Sequence, residues 1–293
     1  MKIGYPCINL GLDCRSSRTF RLASYSDKRM RETVASNLSC LQRILEYNLR
    51  NSMMFFRITS DLIPFASHDV CTLNWQKVFK KTFHQTGEFI RNHEFRISMH
   101  PDQFVLLNSL EERIFQNSVR ELSYHAGVLD LLGLDQSAKI QIHIGGVYGD
   151  KGKSIERFIR RYGTLPAKIR DRLVIENDER LYSVSDCMDI HRQTGIPVLF
   201  DAFHYSCNNT GEVLRDAVHD AALTWSERDG IPMVDYSSQQ KGKRPGTHAQ
   251  SIDIRNFRRF LKETAGLDFD IMLEIKDKER SVLKALKAIS ERK

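Results

Sequence analysis

Short apolar runs alternate with amphipathic segments along the whole chain. Eight of these runs have strand character, and they cover residues 2–9, 53–60, 95–100, 139–145, 173–177, 197–201, 232–237 and 269–275. Between them, apolar residues recur at spacings of three and four, as is typical of amphipathic helices. One such series is Met30, Val34, Leu38, Leu41 and Leu45, and another is Leu110, Ile114, Val119, Leu122, Ala126 and Leu129. The pattern predicts eight strands separated by helices.

This repeated alternation predicts an α/β fold, a single (β/α)8 TIM barrel that spans residues 1–293. Parallel strands need crossover connections, and in a barrel each crossover helix covers the outside. A doubly wound sheet is the alternative, but it usually has fewer strands in this length and often a glycine-rich phosphate turn after the first strand. Here the first run leads into Asn9-Leu10-Gly11-Leu12, which does not match G-x-G-x-x-G. The sequence shows no linker, internal repeat or second domain.

Composition and charge narrow the class of protein. The 293 residues are 41% hydrophobic and 28% charged, which excludes disordered and low-complexity chains. Lys plus Arg number 44 against 37 Asp plus Glu, so the net charge is +7. A positive excess favours a polyanionic or phosphorylated partner.

The cysteines and the apolar segments predict a cellular location. The six cysteines form no C-x-x-C pair, so we expect neither a thiolate zinc site nor a disulfide framework, and a reducing intracellular setting. No apolar stretch has the length of a membrane span or the form of a signal peptide. We therefore expect an intracellular protein that does not bind membranes.

Five of the ten histidines lie at or after predicted strand ends: His68, His100, His143, His204 and His248. The other five fall in predicted helices, where solvated or interhelical roles are usual. The C-terminal ends of barrel strands converge on one mouth, where the chemistry of this fold takes place. The first five histidines are therefore candidates for a shared site.

Four carboxylates occupy the same level, each preceded by apolar residues: Glu176, Asp201, Asp235 and Glu274. A single strand-end acid often only caps the next helix. Four buried carboxylates together would repel one another without a cation. Imidazole and carboxylate ligands without thiolate suit manganese, zinc or iron better than magnesium or calcium. So many ligands predict more than one ion, and a basic protein with such a cluster suggests hydrolysis of a DNA or RNA backbone.

Several segments, taken in chain order, resemble the UV damage endonucleases. They are Gly4-Tyr5-Pro6-Cys7-Ile8-Asn9, Arg57-Ile58-Thr59-Ser60-Asp61-Leu62 with Ser67-His68, Ser98-Met99-His100-Pro101-Asp102-Gln103-Phe104, Ile142-His143-Ile144-Gly145-Gly146, Glu176-Asn177-Asp178 and Asp201-Ala202-Phe203-His204. The resemblance implies a TIM-barrel relative of endonuclease IV with a manganese-containing metal cluster. It also implies nicking of double-stranded DNA immediately 5′ of photoproducts such as cyclobutane dimers and 6-4 adducts, with a 3′-hydroxyl left behind, and no organic cofactor.

The resemblance also implies a ligand set of two or three ions, with Mn²⁺ expected and Zn²⁺ as the alternative. One ion would be held by His100, His143 and Glu176. A second would be held by Glu176, Asp201, Asp235 and Glu274, and a third by His204 and His248. The catalytic set implied is Glu176, His204, Asp235 and Glu274. The chain departs from the family in strand 7, where Met233-Val234-Asp235 replaces a common Lys-x-His, and Met233 cannot ligate as a lysine or its carboxylated form would.

DNA contacts are implied by the same resemblance. Gln103 and Phe104 would enter the duplex where the damaged pair is flipped out, because an aromatic ring fills the vacated space by stacking. Tyr5, Asn9 and His68 resemble positions that line the lesion pocket, although Tyr5 could equally be a packing residue. Exposed basic loops would bind phosphates, and the segment with Lys241, Lys243 and Arg244 contains no acid.

Three alternatives remain at this point. An abasic-site endonuclease of the endonuclease IV type would share the ions. A metal-dependent sugar isomerase with the same barrel would need neither the basic loops nor an exposed Gln103-Phe104 pair. A damage-binding protein whose site has decayed at Met233 is the non-catalytic alternative. We expect a monomer in each case.

Overall fold

Eight parallel strands close into a barrel in their sequence order, with β1 paired to both β2 and β8. The computed structural model describes residues 1–291. The strands are β1 Ile3–Pro6, β2 Phe55–Ile58, β3 Arg96–Met99, β4 Lys139–His143, β5 Leu173–Glu176, β6 Val198–Asp201, β7 Met233–Tyr236 and β8 Asp270–Leu273. Each lies within one of the eight predicted runs, and the predicted (β/α)8 barrel is confirmed.

Helices follow every strand and surround the barrel. They are α1 Asp27–Arg50, α2 Trp75–Asn92, α3 Glu112–Leu131, α4 Lys151–Thr164, α5 Ala167–Arg170, α6 Val184–Thr194, α7 Ala202–Cys207, α8 Leu214–Leu223, α9 Ile254–Glu263 and α10 Glu279–Ser290. Single 3₁₀ turns occur at Leu22–Ser24, Ser60–Leu62 and Glu227–Asp229. The apolar series that predicted a helix at Met30 to Leu45 is the buried face of α1. The main core lies between these helices and the outer face of the barrel.

The inside of the barrel is layered. A separate buried cluster contains Phe55, Val174, Leu199, Met233 and Met272, one from each of five strands. Two residues further along the chain in each case stand Arg57, Glu176, Asp201, Asp235 and Glu274. Because side chains alternate along a strand, residues two apart share a face. A charged layer at the carboxyl ends of the strands therefore lies directly on an apolar floor.

A disulfide joins Cys14, in the loop after β1, to Cys40 in α1, with their Cα atoms 5.7 Å apart. The sequence predicted no disulfide framework, and this single disulfide was not anticipated. The two residues are separated by 26 positions, and only the folding of the loop against α1 brings them within the range that a disulfide needs. The other four cysteines are free thiols.

None of the helices within residues 1–291 combines the length and the apolar character required to cross a membrane.

Candidate active site

Six strands deliver the candidate ligands to one mouth of the barrel. His100 and Glu274 directly follow β3 and β8, whereas His143, Glu176, Asp201 and Asp235 lie in β4, β5, β6 and β7. Their ligand atoms fall into three overlapping groups that could each hold an ion: His100, His143 and Glu176; Glu176, Asp201 and His204; and Asp201, Asp235 and Glu274. The convergence expected of strand-end residues is therefore present for seven of the eight predicted ligands.

Glu176 is the centre of this arrangement. Its Oε1 lies 2.8 Å from Nε2 of His100 and 3.1 Å from Nε2 of His143. The carboxylate is almost completely buried. Burial alone would raise its pKa, but the charges of His143 and His100 outweigh that effect and hold the pKa of Glu176 well below its usual range. An ionised carboxylate between two imidazoles is a suitable bridging ligand for two ions.

Asp201 and His204 are held together by the first turn of α7. Oδ1 of Asp201 accepts the backbone N–H groups of Phe203 and His204, at 2.7 Å each, so the carboxylate caps the helix. Burial raises the pKa of Asp201 to about 6. Burial would lower the pKa of His204, but the nearby carboxylates, Asp201 first among them, raise it to about 10. Without an ion, His204 is therefore a cation that offsets part of the negative charge.

Three of the candidate histidines share a way of being oriented. Nδ1 of His100 lies 2.7 Å from the carbonyl oxygen of Pro101, Nδ1 of His204 lies 3.0 Å from that of Asn177, and Nδ1 of His248 lies 2.9 Å from that of Glu274. An Nδ1–H that donates to a carbonyl leaves Nε2 as the ligand atom, an arrangement found for most metal-binding histidines. The backbone carbonyls thus orient each ring so that Nε2 is available to bind a cation.

His248 stands somewhat apart from the three groups. Its Nε2 is 3.8 Å from Oε2 of Glu274, and its ring centroid lies 6.2 Å from that of His204. Met233 is only 1% exposed and belongs to the apolar floor of the barrel. Met233 therefore provides no ligand atom near His204 and His248. A third ion would depend on these two histidines, with Glu274 beside them.

The donor set fits divalent cations. Among the candidate ligands, two atoms are buried without a hydrogen-bond partner within the described residues, Nδ1 of His143 and Oδ1 of Asp235. Buried polar atoms are normally satisfied, and a mixed imidazole and carboxylate shell is typical of manganese, zinc or iron. These residues can therefore hold a metal cluster.

Arg57 and Gln141 are site residues to which the sequence assigned no role. Both are buried on the inside of the barrel. Arg57 donates to Oδ2 of Asp235 at 2.6 Å and also to Oε1 of Glu274. Gln141 donates to Oε2 of Glu176 at 2.9 Å and to Oδ2 of Asp235 at 2.7 Å. The available signal was an arginine inside the otherwise apolar β2 and a glutamine between two isoleucines in β4.

Two of the predicted lesion contacts line one cavity. His68 and Phe104 both face a space of about 310 Å³ next to the loop after β3. Phe104 is 53% exposed, which is unusual for an aromatic side chain. Gln103 lies on the same loop and lines two further cavities of about 450 and 400 Å³, which it shares with His100. The loop that carries Gln103 and Phe104 therefore lies between these three cavities, two of which reach His100 of the candidate metal centre.

Tyr5 and Asn9, by contrast, lie in the protein interior. Tyr5 has no exposed surface and Asn9 is 3% exposed. The Tyr5 hydroxyl donates to Oδ1 of Asn48 at 2.6 Å and accepts from Nδ2 of Asn9 at 2.7 Å. The burial of Tyr5 fits the packing alternative, and the lesion-pocket role of the two residues stays a prediction.

The basic residues Lys241, Lys243 and Arg244 form the exposed tip of a loop between β7 and His248. We call this segment the basic tip. Its base is closed by a bridge between Gln239 and His248, and Nε2 of Gln239 donates to the carbonyls of Lys243 and Arg244. The basic tip makes no ion pair with any acid in residues 1–291. Its charges are therefore free to meet an anion beside the candidate metal centre.

Comparison with known proteins gives a consistent result. A sequence model of a family described as "UV-endonuclease UvdE" matches residues 1–293. A UV DNA damage endonuclease of Clostridium perfringens (strain 13 / Type A) is 39% identical over 293 residues, which cover 99% of this chain and 71% of the relative. The crystal structure of SacUVDE superposes with a TM-score of 0.95 at 46% identity, covering 99% and 98% of the two chains. Endonuclease IV from Thermus thermophilus shares the fold, with a TM-score of 0.56 at 15% identity over 86% of this chain and 95% of the other.

Proposed function

The chain belongs to the UV-endonuclease UvdE family, and from that membership we propose that it is a metal-dependent DNA endonuclease acting on UV damage. It cuts the strand immediately 5′ of cyclobutane pyrimidine dimers and 6-4 photoproducts. The products carry a 3′-hydroxyl and a 5′-phosphate, and excision repair proceeds from the nick.

The observation that carries this proposal is the convergence on Glu176. The imidazoles of His100, just after β3, and His143, at the end of β4, meet its carboxylate at the mouth of the barrel, and two of the three groups able to hold an ion share Glu176. The basic tip lies in the loop whose base holds His248. A metal centre beside unpaired positive charge suits cleavage of a phosphodiester.

Each part of the cluster has its own task. One ion would be held by His100, His143 and Glu176, a second by Glu176, Asp201, Asp235 and Glu274, and a third by His204 with His248. In these sites Mn²⁺ or Zn²⁺ would supply a water of lowered pKa and would stabilise charge on the leaving oxygen. Burial alone would raise the pKa of Glu274, but the charge of Arg57 holds that pKa below its usual range. Glu274 is therefore kept ionised, as a ligand of the second ion would have to be. Glu176, His204, Asp235 and Glu274 form the proposed catalytic set.

Damage recognition rests on deformability. A photodimer is already poorly stacked, so its extrusion costs less than the few kcal/mol typical of normal bases. Phe104 occupies the vacated space by stacking, and Gln103 offers an amide to the orphaned bases. His68 lines the same cavity as Phe104. The basic tip binds phosphates and carries no sequence preference.

The deciding experiment uses a duplex that carries one thymine dimer and is labelled at the 5′ end of the damaged strand. With Mn²⁺ we expect a single cut immediately 5′ of the dimer, none after chelation with EDTA, and none on the undamaged duplex. Preferential cutting of an abasic-site duplex would identify an endonuclease IV type of enzyme instead. A tight complex without incision in any divalent metal would identify a damage-binding protein, and sugar turnover without DNA binding a sugar isomerase.

We further propose that residues 1–293 act as one domain, as a monomer and inside the cell, without an organic cofactor. Size-exclusion chromatography with light scattering tests the monomer in the presence and absence of duplex DNA.

A further inference from the structure

The two oxygens of Asp235 have different environments. Oδ2 accepts hydrogen bonds from Nη2 of Arg57 at 2.6 Å and from Nε2 of Gln141 at 2.7 Å. Oδ1 is buried and has no hydrogen-bond partner within residues 1–291. Since the side chain has no exposed surface, bulk solvent does not donate a hydrogen bond to Oδ1.

An unpartnered carboxylate oxygen in a buried position is costly unless a cation meets it. Asp201 and Glu274 each bring an oxygen to the same place, with the ligand atoms of the three residues within 4.8 Å of one another. We propose that Arg57 and Gln141 are positioning residues of the metal centre: they fix Oδ2 of Asp235 and thereby present Oδ1 as a single-oxygen metal ligand. This inference rests on the proposed metal-dependent function.

Arginine suits this role because its charge does not depend on pH. Its two terminal nitrogens serve two strands, one pairing with Asp235 in β7 and the other with Glu274 just after β8. Burial alone would lower the pKa of Arg57, but Asp235 and Glu274 raise it above its usual range. A lysine has one nitrogen and could not reach both carboxylates in the same fork-like geometry.

Gln141 extends the restraint to the neighbouring ion group. Its Oε1 accepts from Nη2 of Arg57 at 2.6 Å, which fixes the orientation of the amide. Nε2 therefore faces both Asp235 and Oε2 of Glu176. One amide thus holds a carboxylate from each of two candidate ion groups, and the geometry of one group depends on the other.

The test is metal binding by the whole protein, measured without DNA. Apoprotein is titrated with Co²⁺, and the number of bound ions, their affinities and the visible absorption of Co²⁺ are recorded, because that absorption reports the ligand number and geometry. Arg57→Met and Gln141→Met remove the two restraints on Asp235, and Asp235→Asn removes the ligand itself. Arg57→Lys keeps the positive charge but removes the second nitrogen that pairs with the other carboxylate.

We expect Arg57→Met and Gln141→Met to weaken one ion by about 10–100-fold, as for other residues that orient metal ligands, and to change its Co²⁺ absorption. Asp235→Asn should affect the same ion, and Arg57→Lys should restore only part of its affinity. In Arg57→Met the ion at His100 and His143 should keep its affinity, whereas Gln141→Met should also weaken that ion to a smaller extent, because Gln141 donates to Glu176 as well. Gln141→Met leaves no buried charge unpaired, so it remains informative even where Arg57→Met fails to fold.

Arg96→Met is the matched control, because Arg96 is also a buried arginine at an inner-strand position, but it donates to the backbone carbonyl of Asp229. It should lower stability and leave Co²⁺ binding unchanged. Unchanged affinity and absorption in Gln141→Met and Arg57→Lys would overturn the positioning role. That result would leave the proposed endonuclease intact as long as the unmodified chain still nicks the photodimer duplex in Mn²⁺.

Discussion

Nε2 of His100 and Oε1 of Glu176 lie 2.8 Å apart, although 76 positions separate the two residues in the chain. They meet because β3 and β5 end at the same mouth of a closed barrel. Glu176 is ionised and buried between imidazoles, and its charge is the feature on which the proposed chemistry depends most.

Glu176→Gln should therefore abolish nicking of the photodimer duplex and remove at least one bound Mn²⁺ ion. The amide is a weaker ligand and carries no charge with which to bridge two ions. Metal content by plasma mass spectrometry and a gel-based nicking assay measure the two effects. Glu156→Gln, on the exposed face of α4, is the matched control, and cleavage by Glu176→Gln at the normal rate would contradict the ligand assignment.

Phe104→Ala should reduce nicking of the photodimer duplex by about 5- to 150-fold, since stacking of a base on an aromatic ring contributes about 1–3 kcal/mol. Affinity for undamaged DNA should change little, and Phe104→Tyr should retain the stacking face. Leu110→Ala is the control, because Leu110 is another exposed apolar side chain between β3 and α3. Equal losses in the two alanine variants would argue against a specific role for Phe104.

Charge reversal of the basic tip, with Lys241, Lys243 and Arg244 all changed to Glu, should weaken duplex binding and flatten its dependence on salt. Each phosphate contact that is lost lowers the slope of log K against log[salt] by about 0.9. Fluorescence anisotropy across a salt series measures that slope. Reversal of Lys77, Lys80 and Lys81 on α2 changes the net charge equally, and a similar slope in both variants would mean that only overall charge matters.

The stability of the fold should fall as the pH drops from about 7 towards 4, in part because of His125. Its side chain is fully buried, with Nε2 beside the Ser60 hydroxyl and Nδ1 facing the Glu121 carbonyl. Burial lowers its pKa to about 4, with the charge of His100 acting in the same direction and the Glu121 carbonyl opposing it. The unfolded chain therefore binds the proton first. The stabilisation is complete above about pH 6.5 and disappears by about pH 4, at most about 3 kcal/mol.

Urea unfolding at a series of pH values measures this effect. His125→Gln should flatten the change in the free energy of unfolding between pH 7 and 4. His84→Gln is the control, because His84 is exposed on α2. An identical pH profile for His125→Gln and the unmodified protein would contradict the assignment.

Reduction of the Cys14–Cys40 disulfide should lower the free energy of unfolding by about 2–4 kcal/mol, the usual contribution of such a cross-link. The double change Cys14→Ser with Cys40→Ser should show the same midpoint with and without reductant. Cys207→Ser removes an exposed free thiol and should leave the reductant effect in place. A reductant effect that survives in the double variant would have to come from another source.

The architecture and most of the candidate ligands could be predicted from sequence because they depend on local patterns. Strand-length apolar runs define the barrel, and the fold itself sends the residues after each run to one mouth. The positions of His100, Glu176 and Glu274 follow from that rule alone. Membership of the family, first indicated by resemblance, is confirmed by the comparisons.

What the sequence could not supply depends on contacts between distant strands. Arg57 and Gln141 lie in the polar layer only because their strands face Asp235 across the barrel. The burial of Tyr5 likewise depends on a polar pair, Asn9 and Asn48, which satisfies its hydroxyl in the interior. The disulfide likewise depends on how a loop folds over α1. The spacing of apolar residues in the sequence does not predict that contact.

The layered barrel interior has one more consequence, for folding. The ligands come from six of the eight strands, and the buried Arg57 comes from a seventh, so the ion sites are complete only when the ring of strands is closed. A bound ion therefore stabilises the closed ring against any opened form, by about 2.7 kcal/mol when free metal stands at one hundred times its dissociation constant. If the proposed ions bind, metal supply would therefore affect the lifetime of the folded protein as well as its activity.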